Sequence, residues 1–202
     1  MIVTSIKPAV KTVGRYNIFV DGKYSFSLDE AQLVQEKLKA GRELDDAELR
    51  RLLRESDFGK HYMRVLELIA RRPRSAWEIA QYLRRKGWEP DECQRITERL
   101  RQKGYLDDAA FVEFWIRGRL AGGKKSRRQV EAELAAKRVA REVITSAGHL
   151  FPPESDRTAL AALIQKLRRR HDDPQKLMAA LARRGFAYDD IKRALDQDSR
   201  VT

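Results

Sequence analysis

The chain has 202 residues, with 42 Lys or Arg against 30 Asp or Glu and a formal net charge of +12. It is long enough for a real core, in one larger domain or several small ones. No run approaches the roughly 18 apolar residues of a membrane span. Met1-Ile2-Val3-Thr4-Ser5 lacks the basic head and apolar run of a signal peptide. The single Cys93 excludes an internal disulfide and suits a reducing, cytoplasmic setting, and the positive balance favours an acidic partner, nucleic acid or a nucleic-acid-bound protein first.

The charge is uneven. Residues 1–58 carry ten basic and ten acidic residues, so residues 59–202 hold the whole excess. In the neutral front piece, Ile2–Lys7 reads as a strand closed off by Pro8. Tyr16–Val20 and Lys23–Ser27 flank Asp21-Gly22, a hairpin signal because a type I′ turn needs positive φ at both central residues. Tyr24 and Phe26 alternating with Ser25 and Ser27 have the period of a half-buried strand. Asp29 can cap a helix that carries Ala31, Leu33, Val34 and Leu38 and stops near Gly41. Asp45 or Asp46 can cap a second, with Leu49, Leu52 and Leu53 on its buried side.

Beyond residue 58 the apolar spacing is helical throughout, as in Tyr62, Val65, Leu66 and Ile69. It is also self-similar. Leu83-Arg84-Arg85-Lys86-Gly87-Trp88, Leu134-Ala135-Ala136-Lys137-Arg138-Val139 and Leu181-Ala182-Arg183-Arg184-Gly185-Phe186 share one pattern. Each has an apolar residue, a basic residue three later, a turn position and another apolar residue. Eight residues before each leucine stands a capping type, Ser75, Ser126 or Asp173; ten after it comes Cys93, Ile144 or Ile191. Ser75 with Glu78 and Ser126 with Gln129 fit the capping box, and Asp173-Pro174 opens the third equivalent.

Leucine spacings of 51 and 47 residues fit one three-helix unit per repeat. The expected helices are 60–71, 75–86 and 90–103, then 108–120, 126–137 and 140–148, then 155–170, 174–184 and 188–196. The fold class is therefore mainly α, with three tandem three-helix repeats behind a small β-hairpin-plus-helices extension. The division is 1–58 extension, 59–104 first repeat, 105–150 second and 151–202 third. Gly87 and Gly185 suit a left-handed turn, whereas a non-glycine residue costs about 1 kcal/mol there. The turn at Arg138 is thus expected to be built differently.

Catalytic constellations are absent from the sequence. His61, His149 and His171 lie far apart and outside any metal-ligand spacing, and no cofactor is implied. Cys93 shares an apolar stripe with Ile96 and Leu100 and reads as structural. Gly122-Gly123-Lys124-Lys125-Ser126 lacks the earlier glycine of a phosphate loop. Asp107-Asp108 and Asp189-Asp190 each open a helix, where capping explains them. Trp77, Trp88, Tyr105, Phe111 and Trp115 fall near helix faces or boundaries and read as core.

The basic clusters remain. Arg71-Arg72-Pro73-Arg74 lies in a helix-to-helix corner and Arg84-Arg85-Lys86 at a helix end. Arg117, Arg119, Lys124, Lys125, Arg127 and Arg128 bracket the glycine linker, and residues 117–141 hold nine Lys or Arg against two Glu. Arg168-Arg169-Arg170 and Arg183-Arg184 repeat the theme. One such run is ordinarily a solvated face, but recurrence at matching repeat positions favours an acidic partner. The expected contact residues are Arg71, Arg72, Arg74, Lys86, Arg117, Arg119, Lys124, Lys125, Arg127 and Arg128.

Several of these residues resemble those of a known family. Arg72-Pro73-Arg74-Ser75 with Glu78, Leu83 and Lys86-Gly87, then Gly104-Tyr105-Leu106-Asp107-Asp108, Phe111 and Trp115, look like the signature of RecX regulatory proteins. Glu133-Leu134 with Lys137, and Arg184-Gly185-Phe186 with Ile191 and Leu195, resemble its second and third repeats, and Tyr16–Leu28 its longer N-terminal extension. Arg138 departs from the glycine usual there. The resemblance implies an elongated, curved array, expected as a monomer, docking along the groove of a RecA–DNA filament. It further implies inhibition of RecA's ATPase, coprotease and strand-exchange activities in the bacterial cytoplasm, with no catalysis of its own and no membrane partner.

Two other classes compete. Ser75–Lys86, Gly87 and Pro90–Lys103 can form a helix-turn-helix that reads a specific DNA sequence, although Asp91 and Glu92 would then face phosphate. A hydrolase or nuclease lacks any metal or nucleophile set.

Overall fold

The computed structural model describes residues 1–10, 12–170 and 173–198. It divides into two compact units, Met1–Arg72 with Glu89–Ile96, and Pro73–Trp88 with the chain from Thr97 onward.

The first unit is built on an antiparallel sheet in the order β1 (Val3–Pro8), β2 (Arg15–Val20), β3 (Lys23–Asp29). Asp21 and Gly22 take φ of 48° and 79°, the positive pair that a type I′ hairpin demands. Val3, Ile18, Val20, Phe26 and Leu28 cover their apolar face with Leu38, Leu44 and Leu52. The alternation expected in β3 does not hold. Phe26, Ser27 and Leu28 are buried in succession, whereas Tyr24 is 54% exposed.

Ser27 is buried because it receives Arg15, itself only 6% exposed. Arg15 Nε donates to Ser27 Oγ at 3.2 Å, and Nη2 donates to the Ser27 carbonyl at 2.5 Å and that of Ser56 at 3.4 Å. Burial lowers the pKa of this guanidinium, against the opposing effect of Asp29. Gly59 leaves the necessary room, since a Cβ there would stand 2.8 Å from Gln32 Oε1 and 3.0 Å from Arg15 Nη1.

Two helices of this unit differ from the sequence expectation. α1 (Glu30–Gln35), closed by an Asp29–Gln32 capping box, ends well before Gly41. Lys37 turns left-handed at φ 48°, and the Lys37 and Leu38 N–H groups donate back to Val34 and Leu33, as in a Schellman motif. Leu38 thus reaches the core from the turn, and Val34 is 72% exposed. α2 (Asp46–Arg71), capped by Asp45 with Glu48, runs unbroken for 26 residues, where the sequence suggested a separate helix from residue 60. Gly59 does not stop it because its bare face is needed against Arg15 and Gln32. The beginning of α4 (Pro90–Gln102) also belongs here. Glu92 Oε1 lies 2.7 Å from His61 Nδ1, Arg95 Nη2 bonds Glu55 Oε1 at 2.9 Å, and the Arg95 guanidinium sits 4.3 Å from the Phe58 ring centre.

The second unit contains α3 (Ala76–Lys86), the end of α4, α5 (Asp108–Ala121), α6 (Arg127–Ala136), α7 (Arg141–Ser146), α8 (Ser155–Arg168), α9 (Pro174–Ala182) and α10 (Tyr188–Asp198). α7 is shorter than expected and passes into a 3₁₀ turn, Ala147–Leu150. Phe111, Val112, Ile116, Val130, Leu134 and Ile144 share one core with Phe151. Leu160, Leu163, Ile164, Leu177, Leu181 and Ile191 share another. The register leucines Leu83, Leu134 and Leu181 are 2%, 0% and 0% exposed.

The caps follow the repeat with two corrections. Ser75 and Glu78 form the full capping box. Ser126 Oγ accepts the Gln129 N–H at 3.2 Å, but Gln129 Oε1 is buried without a hydrogen-bond partner, so only half of the second box exists. The turn at Arg138 is not built differently either. Gly87, Arg138 and Gly185 have φ of 67°, 57° and 81°. Their N–H groups donate to Arg84, Ala135 and Ala182 at 3.1, 2.9 and 2.9 Å. Arg138 therefore bears the left-handed strain itself.

Candidate functional site

The groups that could do acid–base, nucleophilic or metal chemistry are dispersed. His61 is engaged by Glu92, His149 Nδ1 lies 2.8 Å from the Ser146 carbonyl, and His171 lies outside the described residues. Cys93 is half-buried, and burial with nearby Glu92 pushes its thiol pKa up, away from the thiolate that a nucleophile needs. Among the described residues no group of three or more His, Cys, Asp or Glu could hold a metal ion, and no helix is long and apolar enough to cross a membrane.

What the second unit does assemble is a polar junction between consecutive repeats, and it does so twice. The cap serines Ser75 and Ser126 are 1% and 0% exposed because each serves two helices. While accepting the N–H of its own third helical residue, Ser75 Oγ donates to the Lys137 carbonyl at 3.3 Å and Ser126 Oγ to the Arg184 carbonyl at 2.7 Å. The next N–H is used in parallel. Ala76 donates to Asp108 Oδ1 at 3.0 Å and Arg127 to Asp156 Oδ1 at 2.7 Å. Gly185 faces this junction tightly, for a Cβ on it would lie 2.9 Å from Ser126 Oγ and 3.3 Å from Arg128 Cβ. Capping periodicity marks these serines in the sequence, but no local signal reveals their partners 58 and 62 residues away.

Around the junctions lies the densest positive segment, and much of it is internally neutralised. Glu133 is the hub. Its Oε2 accepts Trp115 Nε1 at 2.9 Å and Arg119 Nε at 2.6 Å, and Lys125 Nζ pairs with Oε1. Arg119 and Lys137 each sit 4.3 Å from the Trp115 ring centre, and Lys137 Nζ bonds Glu78 Oε1 at 2.8 Å. Burial alone would raise the Glu133 pKa, but the hydrogen bonds from Lys125, Arg119 and Trp115 outweigh it and hold the carboxyl below the usual range. The sequence marks Glu133 only through the second-repeat resemblance it shares with Leu134 and Lys137, and nothing in its spacing reveals Trp115, Arg119 and Lys125 as its partners.

The expected contact residues therefore divide. Arg119 and Lys125 are committed to Glu133, Arg117 pairs with Glu113, and Arg127 bonds Glu131 at 2.7 Å while lying 5.2 Å from the Phe151 ring centre. Lys86 is exposed, its Nζ 5.4 Å from the Tyr82 ring centre. Arg72 and Arg74 are half-buried and engaged, whereas Arg71 is exposed at the end of α2. Lys124 and Arg128 are exposed and make no ion pair with a described residue, and the same holds for Arg138 and Arg141, which the sequence did not single out as contacts. Of the aromatics read as core, Phe111 is fully buried and Trp77, Trp88 and Trp115 half-buried, but Tyr105 is 50% exposed. The Tyr105 N–H closes the α4 turn on Leu100 and leaves its ring outside. The arrangement can bind anions, and within the chain Glu133 already plays that part.

Comparison with known proteins follows the same division. Family models match residues 1–45 (regulatory protein RecX N-terminal domain) and 62–100, 107–147 and 154–195 (RecX first, second and third three-helix domains). The regulatory protein RecX of Listeria monocytogenes serovar 1/2a is 29% identical over 200 residues, covering 96% of this chain and 74% of the relative. That of Bacillus subtilis strain 168 is 29% identical over 201 residues, covering 96% and 76%. A crystal structure of regulatory protein RecX superimposes with a TM-score of 0.79 at 27% identity over 96% of this chain and 98% of that one. With the sheet domain and all three helical repeats matched in order, the chain belongs to the RecX family of regulatory proteins.

Proposed function

We propose that this protein is a non-enzymatic regulator that binds the RecA–DNA filament in the bacterial cytoplasm and inhibits RecA's ATPase, strand-exchange and coprotease activities. It acts as a monomer, with residues 1–58 as an extension ahead of repeats 59–104, 105–150 and 151–202. The observation that carries the reading is family membership joined to a basic segment placed at recurrent repeat junctions. A tandem array presents its groups at intervals along its length, and a filament repeats its phosphates and acidic surfaces in the same manner. Adding the protein to RecA on single-stranded DNA should slow ATP hydrolysis; undiminished hydrolysis at saturating stoichiometry would sink the proposal.

A sequence-specific helix-turn-helix reader is less well supported. Early residues of the second helix would have to meet base edges, yet Glu92 is occupied by His61 and Arg95 by Glu55 and Phe58.

A further inference from the structure

The two junctions correspond residue by residue. Ser75 matches Ser126, and Lys137 matches Arg184 as the carbonyl that each serine holds. By the same register Trp77 corresponds to Arg128, and Arg138 to Gly185. Each junction thus has one arginine in this pair of positions, contributed from opposite sides. At the second it stands two residues beyond the cap serine, and Arg128 packs over the turn. The missing Gly185 Cβ would lie 3.3 Å from Arg128 Cβ and 3.5 Å from its Cδ. At the first the turn residue itself is the arginine, at φ 57°.

Among the described residues neither side chain takes part in an ion pair. Arg128 and Arg138 are both exposed and paired with no described carboxylate, although Arg117, Arg119, Lys125, Arg127 and Lys137 in the same segment all are. Arg138 is held moreover in a backbone conformation that disfavours any side chain, which points to a use outside the fold. The planar guanidinium matches the paired oxygens of a phosphodiester better than an ammonium does.

We infer that Arg138 and Arg128 are equivalent phosphate contacts, one per repeat junction, that grip the nucleic-acid backbone within the bound filament. This deepens the filament-binding reading and rests on it. Of the other basic residues of the segment, Arg117, Arg119, Lys125, Arg127 and Lys137 are held by Glu113, Glu133, Glu131 and Glu78, so the count of phosphates neutralised there is smaller than the net charge suggests. Lys124 and Arg141 are exposed but do not occupy the matched junction positions.

The test is fluorescence anisotropy of a labelled oligothymidylate titrated with the full chain across a salt series. It compares Arg138→Gly, Arg128→Ala, the double variant and Lys39→Ala, an exposed control in the neutral front piece. Each junction variant should weaken binding several-fold and flatten the slope of log affinity against log salt by about 0.7, the double variant by about 1.4. Lys39→Ala should change neither. The melting temperature of Arg138→Gly should equal or exceed that of the parent, so that weakened binding cannot be ascribed to unfolding. RecA ATPase inhibition is measured alongside. Unchanged slopes in both single variants overturn the inference. Lost RecA inhibition with unchanged DNA slopes also overturns it, by making an acidic protein surface the partner. A parent protein that neither binds the oligonucleotide nor inhibits RecA overturns the filament reading itself.

Discussion

Residue 138 shows a repeat pattern overruling a local preference. Three turns in equivalent places need a left-handed residue, two have glycine, and Arg138 conforms at φ 57° rather than re-routing the chain. Neighbouring repeats hold the turn, because Ser75 already donates to the carbonyl just before it. Arg138→Gly should therefore raise stability by about 0.5–1 kcal/mol, the relief of left-handed strain less glycine's entropy, read as a later urea midpoint; an earlier midpoint would mean that the side chain packs. Arg15 presents the opposite lesson. Nothing local marks a strand arginine as buried, since its place depends on Ser56 and Gly59, more than forty residues away.

Among the elements, caps and hairpin were legible because their physics lies within a few residues. Asp21-Gly22, the Asp29 cap, and Ser75 with Glu78 all form as expected. The extents of α1 and α2 were not, because Lys37 stops the one without a glycine and Gly59 fails to stop the other. α6 adds a measurable pH response through Glu133. The fold favours its ionised form, so the stabilisation is fully present above the ordinary glutamate value of about 4.3 and is lost as pH falls through the lower folded value. Glu133→Gln should be less stable than the parent near neutrality, and the gap in urea midpoint should close as pH falls below the ordinary glutamate range. A gap independent of pH would show that the carboxylate's charge is not what holds Trp115, Arg119 and Lys125.

Across the second unit, stability is distributed through the junctions as well as the cores. Ser126 caps α6 and reaches Arg184 at 2.7 Å with its hydroxyl fully buried, whereas the Ser75 bond to Lys137 is 3.3 Å. Ser126→Ala removes a cap and leaves a carbonyl short of a partner, a loss of about 2 kcal/mol. Ser75→Ala should cost less. Hydrogen exchange should quicken in α9 for Ser126→Ala and leave the β2–β3 pairing as it was. Equal losses at both serines, with no local change in α9, would show that the junctions do not differ.

The amino-acid order by itself determined the helical class, the repeat register, the caps, the hairpin and the kinship, because each is written in short-range spacing and recurs. It also located the charge. Only the tertiary structure decided which cations remain exposed without an ion pair, since that depends on where Glu133, Glu78 and the cap serines meet partners from other helices. Electrostatic pairing acts over a few ångströms in space and takes no account of distance along the chain. The net +12 pointed only to an acidic class of partner, while the folded arrangement left Lys124, Arg128, Arg138 and Arg141 of the densest basic segment exposed without an ion pair to a described residue.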